Sequence, residues 1–282
     1  MSTAPARFGV RLAAAVAERG PLCAGIDPHP ELLRAWGLPV DANGVERFAL
    51  LCVEALAGEV AVLKPQSAFF ESHGSAGIAA LERTLAAAHD AGALVLLDAK
   101  RGDIGSTMQG YAAAYLDDGA PLAADAITLS PYLGVGALRP ALDAAEQHGR
   151  GVFLLARTSN PDGAAVQSAQ YEGRTVAQSI VDAAAGHNAG ATPLGDVGVV
   201  VGATTEHGLD LATLNGPVLA PGFGAQGATP ADLPKLFRQA ARSVLPAVSR
   251  ELSRYGPDAS ALRSAAKRLQ AAFARALSGH DR

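Results

Sequence analysis

Cysteine is scarce in this sequence: Cys23 and Cys52 are the only two in 282 residues. A disulfide framework needs more, so both read as small buried hydrophobes in a reducing compartment. There is no Cys-x-x-Cys pair. The seven histidines, His29, His73, His89, His148, His187, His207 and His280, are scattered without ligand spacing, so no metal site is expected. Positive charge is not in excess either, since 23 Lys and Arg against 27 Asp and Glu leave a net −4. That removes the electrostatic footprint of a nucleic-acid or anionic-membrane binder. A small anionic ligand stays open, because local charge can oppose net charge. No run reaches the ~18 apolar residues of a membrane span, and the first residues lack the charged-then-apolar order of a secretion signal. The expected location is the cytoplasm.

What is present is a packed globular composition, 49% hydrophobic and 18% charged, long enough for a sizeable core. Short apolar runs of buried-strand type recur at Leu22–Ile26, Val60–Leu63, Leu94–Leu97, Ala126–Leu129, Val152–Leu155, Val197–Val201, Val218–Ala220 and Val244–Val248. Helical segments fall between nearly all of them: Arg11–Arg19, Val45–Gly58, Ile78–Ala91, Ile104–Asp118, Val135–His148, Thr175–His187, Glu206–Leu214 and Ala231–Ala241. A last segment, Ala259–Leu277, reads as a closing helix. Eight strand–helix units point to an α/β fold, the (β/α)8 TIM barrel. No Pro/Ser linker divides the chain, so residues 1–282 are expected to form a single domain, with an N-terminal helix and a C-terminal closing helix. The irregular stretch Asn160–Arg174 is expected to cross the barrel mouth.

In such barrels chemistry sits at the C-terminal ends of the strands. Around Leu94-Val-Leu-Leu-Asp98-Ala-Lys100-Arg-Gly-Asp103-Ile104 an apolar strand runs straight into charge. Side chains alternate with a period of two, so Asp98 and Lys100 should share a face. Other strands end in Asp27-Pro28, in Lys64-Pro65, in Ser130-Pro131-Tyr132 and in Arg157-Thr-Ser-Asn160, and the last in Ser249-Arg250. Each has a bland reading: Asp27 as a turn residue, Asp103 as a helix cap, Lys64 as a snorkelling lysine. Together, two lysines and three acids at neighbouring strand ends make a charge network that costs stability unless it serves chemistry. The turn Pro221–Gly227 adds glycines, which let backbone N–H groups approach a phosphate, with Arg250 one strand on to grip it.

These residues, in this order, resemble the orotidine 5′-phosphate decarboxylase family. The match is Asp-x-Lys-x-x-Asp at Asp98, Lys100 and Asp103, continued by Ile104-Gly105-Ser106-Thr107. Asp27, Lys64, Ser130-Pro131-Tyr132 and Pro-Gly-x-Gly-Ala-Gln-Gly before Arg250 support it, over about residues 20 to 250. Arg157-Thr-Ser-Asn160 resembles the longer bacterial branch. One departure is Gly227-Ala228, where a second glycine is common. The resemblance implies conversion of orotidine 5′-monophosphate to UMP without metal or organic cofactor. It implies that Lys100 protonates C6 as carbon dioxide leaves, that Asp98 lies against the substrate carboxylate, and that Lys64 and Asp103 complete the array. Asp27 and Lys64 would hold the ribose hydroxyls, and Ser130, beside Pro131, would read the pyrimidine amide edge. Gln226, Arg250 and backbone near Gly224 would bind the phosphate. Asp103, Ile104 and Thr107 would reach into a partner's site, which implies a homodimer. Two alternatives stand beside this reading. One is a magnesium-dependent sugar-phosphate decarboxylase or aldolase of the same barrel suprafamily, against which Lys64 argues because it would repel the cation. The other is a catalytically silent nucleotide-binding barrel.

Overall fold

Among the described residues ten short strands carry the topology: β1 (Cys23–Ile26), β2 (Val62–Pro65), β3 (Leu94–Arg101), β4 (Ala126–Leu129), β5 (Gly151–Arg157), β6 (Gln170–Tyr171), β7 (Arg174–Thr175), β8 (Val197–Val201), β9 (Val218–Pro221) and β10 (Val244–Val248). All except the β6–β7 hairpin close into a parallel barrel in the order β1-β10-β9-β8-β5-β4-β3-β2, as expected for a TIM barrel. This computed structural model describes residues 6–278 apart from 205 and 225. His280, Ala225 of the glycine-rich turn and both extremes of the 1–282 span therefore lie outside the described residues.

Burial of the strands on both faces explains their unbroken apolar character. One face packs inward, where Cys23, Val62, Leu94, Leu96, Ala126, Phe153, Val200, Leu219 and Leu245 fill the barrel. The floor is closed by the helix Phe8–Arg19, which contributes Phe8, Leu12 and Ala15 to the same cluster. Phe8 meets Phe153 edge-on, with ring centroids 6.0 Å apart. Gly151 makes this possible, since a Cβ there would lie 2.3 Å from Phe8 Cδ1. Polar contacts staple the helix down: Gly9 N–H donates to Asp196 Oδ1 at 2.7 Å, and the Arg11 guanidinium reaches Asp125 and Gly149 O.

The opposite strand face packs on the outer helices. Asp41 caps Ala42–Leu56 by accepting from Gly44 N–H at 2.9 Å, and that helix buries Phe48, Cys52 and Leu56. The closing helix Ala259–Ser278 adds Leu262, Ala266 and Phe273 to this core. Burying one such phenylalanine contributes about 1.5–3 kcal/mol.

Three expected helices differ. Glu206–Leu214 forms none, because short polar side chains take its backbone donors: His207 Nδ1 accepts from Leu209 N–H and Asp210 Oδ1 from Ala212 N–H, each at 3.0 Å. Ala231–Ala241 breaks into the 3₁₀ turn Pro230–Asp232, the helix Leu233–Phe237 and a second turn Arg238–Ala240. Pro234 inside that span has no N–H to continue a ladder. The expected helix over Val135–His148 begins as a 3₁₀ turn, Val135–Leu138, before Arg139–Gln147. Asn160–Arg174 is not structureless, since it holds the helix Ala164–Gln167 and one side of the β6–β7 hairpin.

Candidate active site

Parallel registry brings the polar strand ends together. Gly25 of β1 lies beside Lys64 of β2, and Gln66 bridges to Asp98 of β3. Between β3 and β4, Leu97 pairs with Ile127 but Arg101 with Leu129, so β3 carries extra chain at this point. The irregular stretch includes Lys100, whose φ is +49°. A left-handed non-glycine residue costs roughly 1–2 kcal/mol, and such strain concentrates at functional sites.

Asp98 is the hub. Its Oδ1 accepts from Lys100 Nζ at 2.6 Å and from Thr128 Oγ1 at 2.8 Å. Its Oδ2 accepts from Lys64 Nζ at 3.1 Å and from Gln66 Nε2 at 3.0 Å. Lys64 also lies 4.0 Å from Asp27 Oδ1. Burial works to raise the Asp98 pKa, but Lys64, Lys100 and the hydrogen bonds outweigh it and hold the carboxyl well below the usual range. For Lys64 burial works downward and is overcome by Asp98 and Asp27, which hold it above an ordinary lysine. The lysines differ in access: the Lys64 side chain is 8% exposed and that of Lys100 46%. Lys64 is a fixed buried charge, whereas Lys100 can meet a ligand.

Above this array opens a cavity of about 320 Å³. Asp27, Lys64, Asp98 and Lys100 line it together with Pro221, Gly222, Gln226 and Arg250. Asp27 Oδ1 and Ser249 Oγ, both of residues lining the cavity, are buried and have no hydrogen-bond partner among the described residues. Buried polar atoms normally find partners, so these suit ligand hydroxyls. Gly222 has a φ of +118° and Gly224 of +74°, backbone angles that favour glycine. Arg250 opens the short helix Arg250–Ser253.

Six expected site residues do not line this cavity. Gly224 donates its N–H to Ala228 O at 2.9 Å, so that amide is already committed. Ser130 donates its N–H to Arg101 O at 2.7 Å, and Pro131 starts a 3₁₀ turn. Asp103 accepts from Ile104 N–H at 2.8 Å and makes no contact with either lysine. It does not cap the helix Gly105–Leu116 either, whose N-cap is Ile104. Ile104 is 61% exposed and Thr107 is exposed, while Tyr132 and Leu133 on the next loop are exposed too. A single chain therefore supplies Lys64, Asp98 and Lys100 but not the second acid.

Three contributors were not singled out from the sequence. Thr128 both donates to Asp98 and accepts the Lys100 N–H at 3.0 Å. Its signal is the alternation of β4, in which Ala126 faces the barrel interior and Thr128 comes two residues on. Gln66 fixes the other Asp98 oxygen. Ser159, past the end of β5, lines the cavity and donates to Gln226 Oε1 at 2.9 Å, joining two loops over the opening.

Comparison with known proteins bears on this geometry. The family model described as orotidine 5′-phosphate decarboxylase / HUMPS matches residues 20–265. The orotidine 5′-phosphate decarboxylase of Salinispora arenicola is 61% identical over 96% of this chain and 99% of its own. That of Streptomyces coelicolor is 58% identical over 93% and 95%. A solved structure from Streptomyces avermitilis superposes with a TM-score of 0.95, at 54% identity and with 98% of each chain covered.

Proposed function

The chain belongs to the orotidine 5′-phosphate decarboxylase family and its activity is the last step of UMP synthesis; from that premise we propose how its own residues carry the reaction. The supporting observation is the Lys64–Asp98–Lys100 array with its one accessible ammonium.

Loss of carbon dioxide from the C6 carboxylate leaves an electron pair in the plane of the pyrimidine, where no π system delocalises it. The Lys100 ammonium stabilises that charge and delivers its proton to C6, an electrostatic effect strengthened in a dry, preorganised site. Asp98 faces the substrate carboxylate and opposes the bound ground state. Its four donors keep it ionised while it does so. Lys64 and Asp27 take the ribose hydroxyls, consistent with the unpartnered Asp27 Oδ1. Arg250 and Gln226 hold the phosphate, whose binding energy organises the reacting end. For the pyrimidine edge, Ser159 is better supported than Ser130 or Pro131, because it lines the cavity and they do not.

Asp103, Ile104 and Thr107 act in the site of a second copy. The exposure of Ile104 and Thr107, and that of Tyr132 and Leu133 on the neighbouring loop, supports a homodimer that completes each array. The protein is a single-domain cytoplasmic enzyme needing no metal or organic cofactor. Its buried free cysteines suit a reducing compartment, and its net charge of −4 favours a small substrate over nucleic acid. Among the described residues no helix is long and apolar enough to cross a membrane.

The test is ultraviolet absorbance of orotidine 5′-monophosphate mixed with the protein, with and without EDTA. Loss of the substrate spectrum in both samples is expected. Loss only without chelator would replace the proposed chemistry with a metal-assisted one.

A further inference from the structure

We propose that Arg101 is a positioning residue, holding Lys100 in the left-handed backbone conformation from which its ammonium reaches Asp98. The inference rests on Lys100 being the proton donor. The peptide joining Ala99 to Lys100 is one rigid plane, and both of its polar ends are held. Its N–H donates to Thr128 Oγ1 at 3.0 Å. Its carbonyl, Ala99 O, accepts from Arg101 Nη1 at 2.9 Å. Fixing both ends fixes the plane from which the φ of Lys100 is measured, and the pairing of Arg101 with Leu129 holds the chain on the other side. On the far side of the residue, Arg101 O accepts from Ser130 N–H at 2.7 Å.

The guanidinium is itself anchored. Its other arm pairs with Glu71, which also accepts from Ser67 Oγ. Its Cζ lies 5.7 Å and 5.9 Å from the Tyr111 and Tyr115 ring centroids, within cation–π range. The helices Ser67–Glu71 and Gly105–Leu116 thus grip a fork whose free arm grips the strained peptide. A lysine has one point charge and cannot serve Glu71, Ala99 O and the rings together.

The experiment compares the parent with Arg101→Ala and Arg101→Lys in steady-state turnover, with UMP affinity measured separately. We expect kcat to fall about 10- to 100-fold in both, as for a displaced catalytic group. KM and the UMP Kd should stay within about twofold, because the phosphate and ribose contacts are elsewhere. Added guanidinium ion should restore part of the Arg101→Ala rate, whereas methylammonium should not. A kcat within about twofold of the parent overturns the proposal, as does a parallel loss of kcat and UMP affinity. If Arg101→Ala does not fold, Glu71→Gln decides: its kcat must drop severalfold at unchanged UMP affinity, and an unchanged kcat overturns the proposal. A crystal structure separates this inference from the reaction it rests on. Lys100 remaining left-handed and within reach of Asp98 in the refolded or soluble arginine variant refutes the positioning role, whatever reaction the parent performs.

Discussion

Replacing Asp125 by asparagine tests how the barrel floor is held. The carboxylate accepts from the Arg11 guanidinium, from Val95 N–H at 2.8 Å and lies 3.3 Å from His89 Nε2, with its side chain only 9% exposed. Burial pushes its pKa up, but the hydrogen bonds from His89 and Arg11, the Arg11 charge and the Val95 amide bring it down to about 2. Against an ordinary value near 3.8, the ionised form then contributes on the order of 2 kcal/mol of stability at pH 7. The pKa is depressed on folding, so this contribution is complete above about pH 4 and is lost as pH falls through the folded value. At pH 3 about half of it should remain. An amide offers one acceptor where three donors converge, so Asp125→Asn should cost roughly 2–3 kcal/mol at pH 7. The assay is urea unfolding at fixed protein concentration, followed by circular dichroism and by the fluorescence of Trp36, from pH 7 to pH 3. The gap between parent and variant should narrow by about 1 kcal/mol across that range. A gap under about 0.5 kcal/mol at pH 7, or one that does not change with pH, would refute the reasoning.

Thr128→Val removes the hydroxyl shared by Asp98 and the Lys100 amide, and should lower kcat about tenfold or more with KM nearly unchanged, as read from substrate saturation. Arg250→Ala should raise KM at least about tenfold through the phosphate, and an unchanged KM would count against that contact. Lys100→Ala should abolish turnover while UMP binding, measured by calorimetry, stays within a few-fold. Mixed with inactive Asp103→Ala, it should regain partial activity through hybrid dimers, and no recovery would remove the shared site.

Much of the architecture was legible because parallel barrel strands are buried on both faces and announce themselves as apolar runs. Ala126–Leu129, Val197–Val201 and Val244–Val248 have the same limits in the sequence reading and in the fold. Period-two alternation also foresaw that Asp98 and Lys100 would meet. It could not foresee the left-handed Lys100, because that conformation comes from contacts with Thr128 and Arg101 that lie outside any local pattern. Alternation along β4 puts Thr128 on the inward face, but a threonine in a four-residue strand is ordinary β-sheet composition and does not by itself mark a site residue. Glu206–Leu214 misled for the opposite reason: its spacing is helical, but His207 and Asp210 satisfy the backbone in turns instead. Ser130 and Ser159 both follow strands, and only the placement of the cavity distinguishes them. Asp103 belongs to the motif but, among the described residues, bonds only to its neighbour Ile104 in this chain, and the role proposed for it needs another chain.

The floor helix has a consequence for how the chain is made. Its anchors, Asp125, Gly149 and Asp196, lie 114, 138 and 187 residues downstream of the residues they hold. Synthesis is vectorial at about 5–20 residues per second, so this helix waits on the order of ten seconds or longer for its last partner to be translated. Until then Phe8 and Leu12 have no barrel to plug, and a helix made before the strands it seals is among the last elements to find its place.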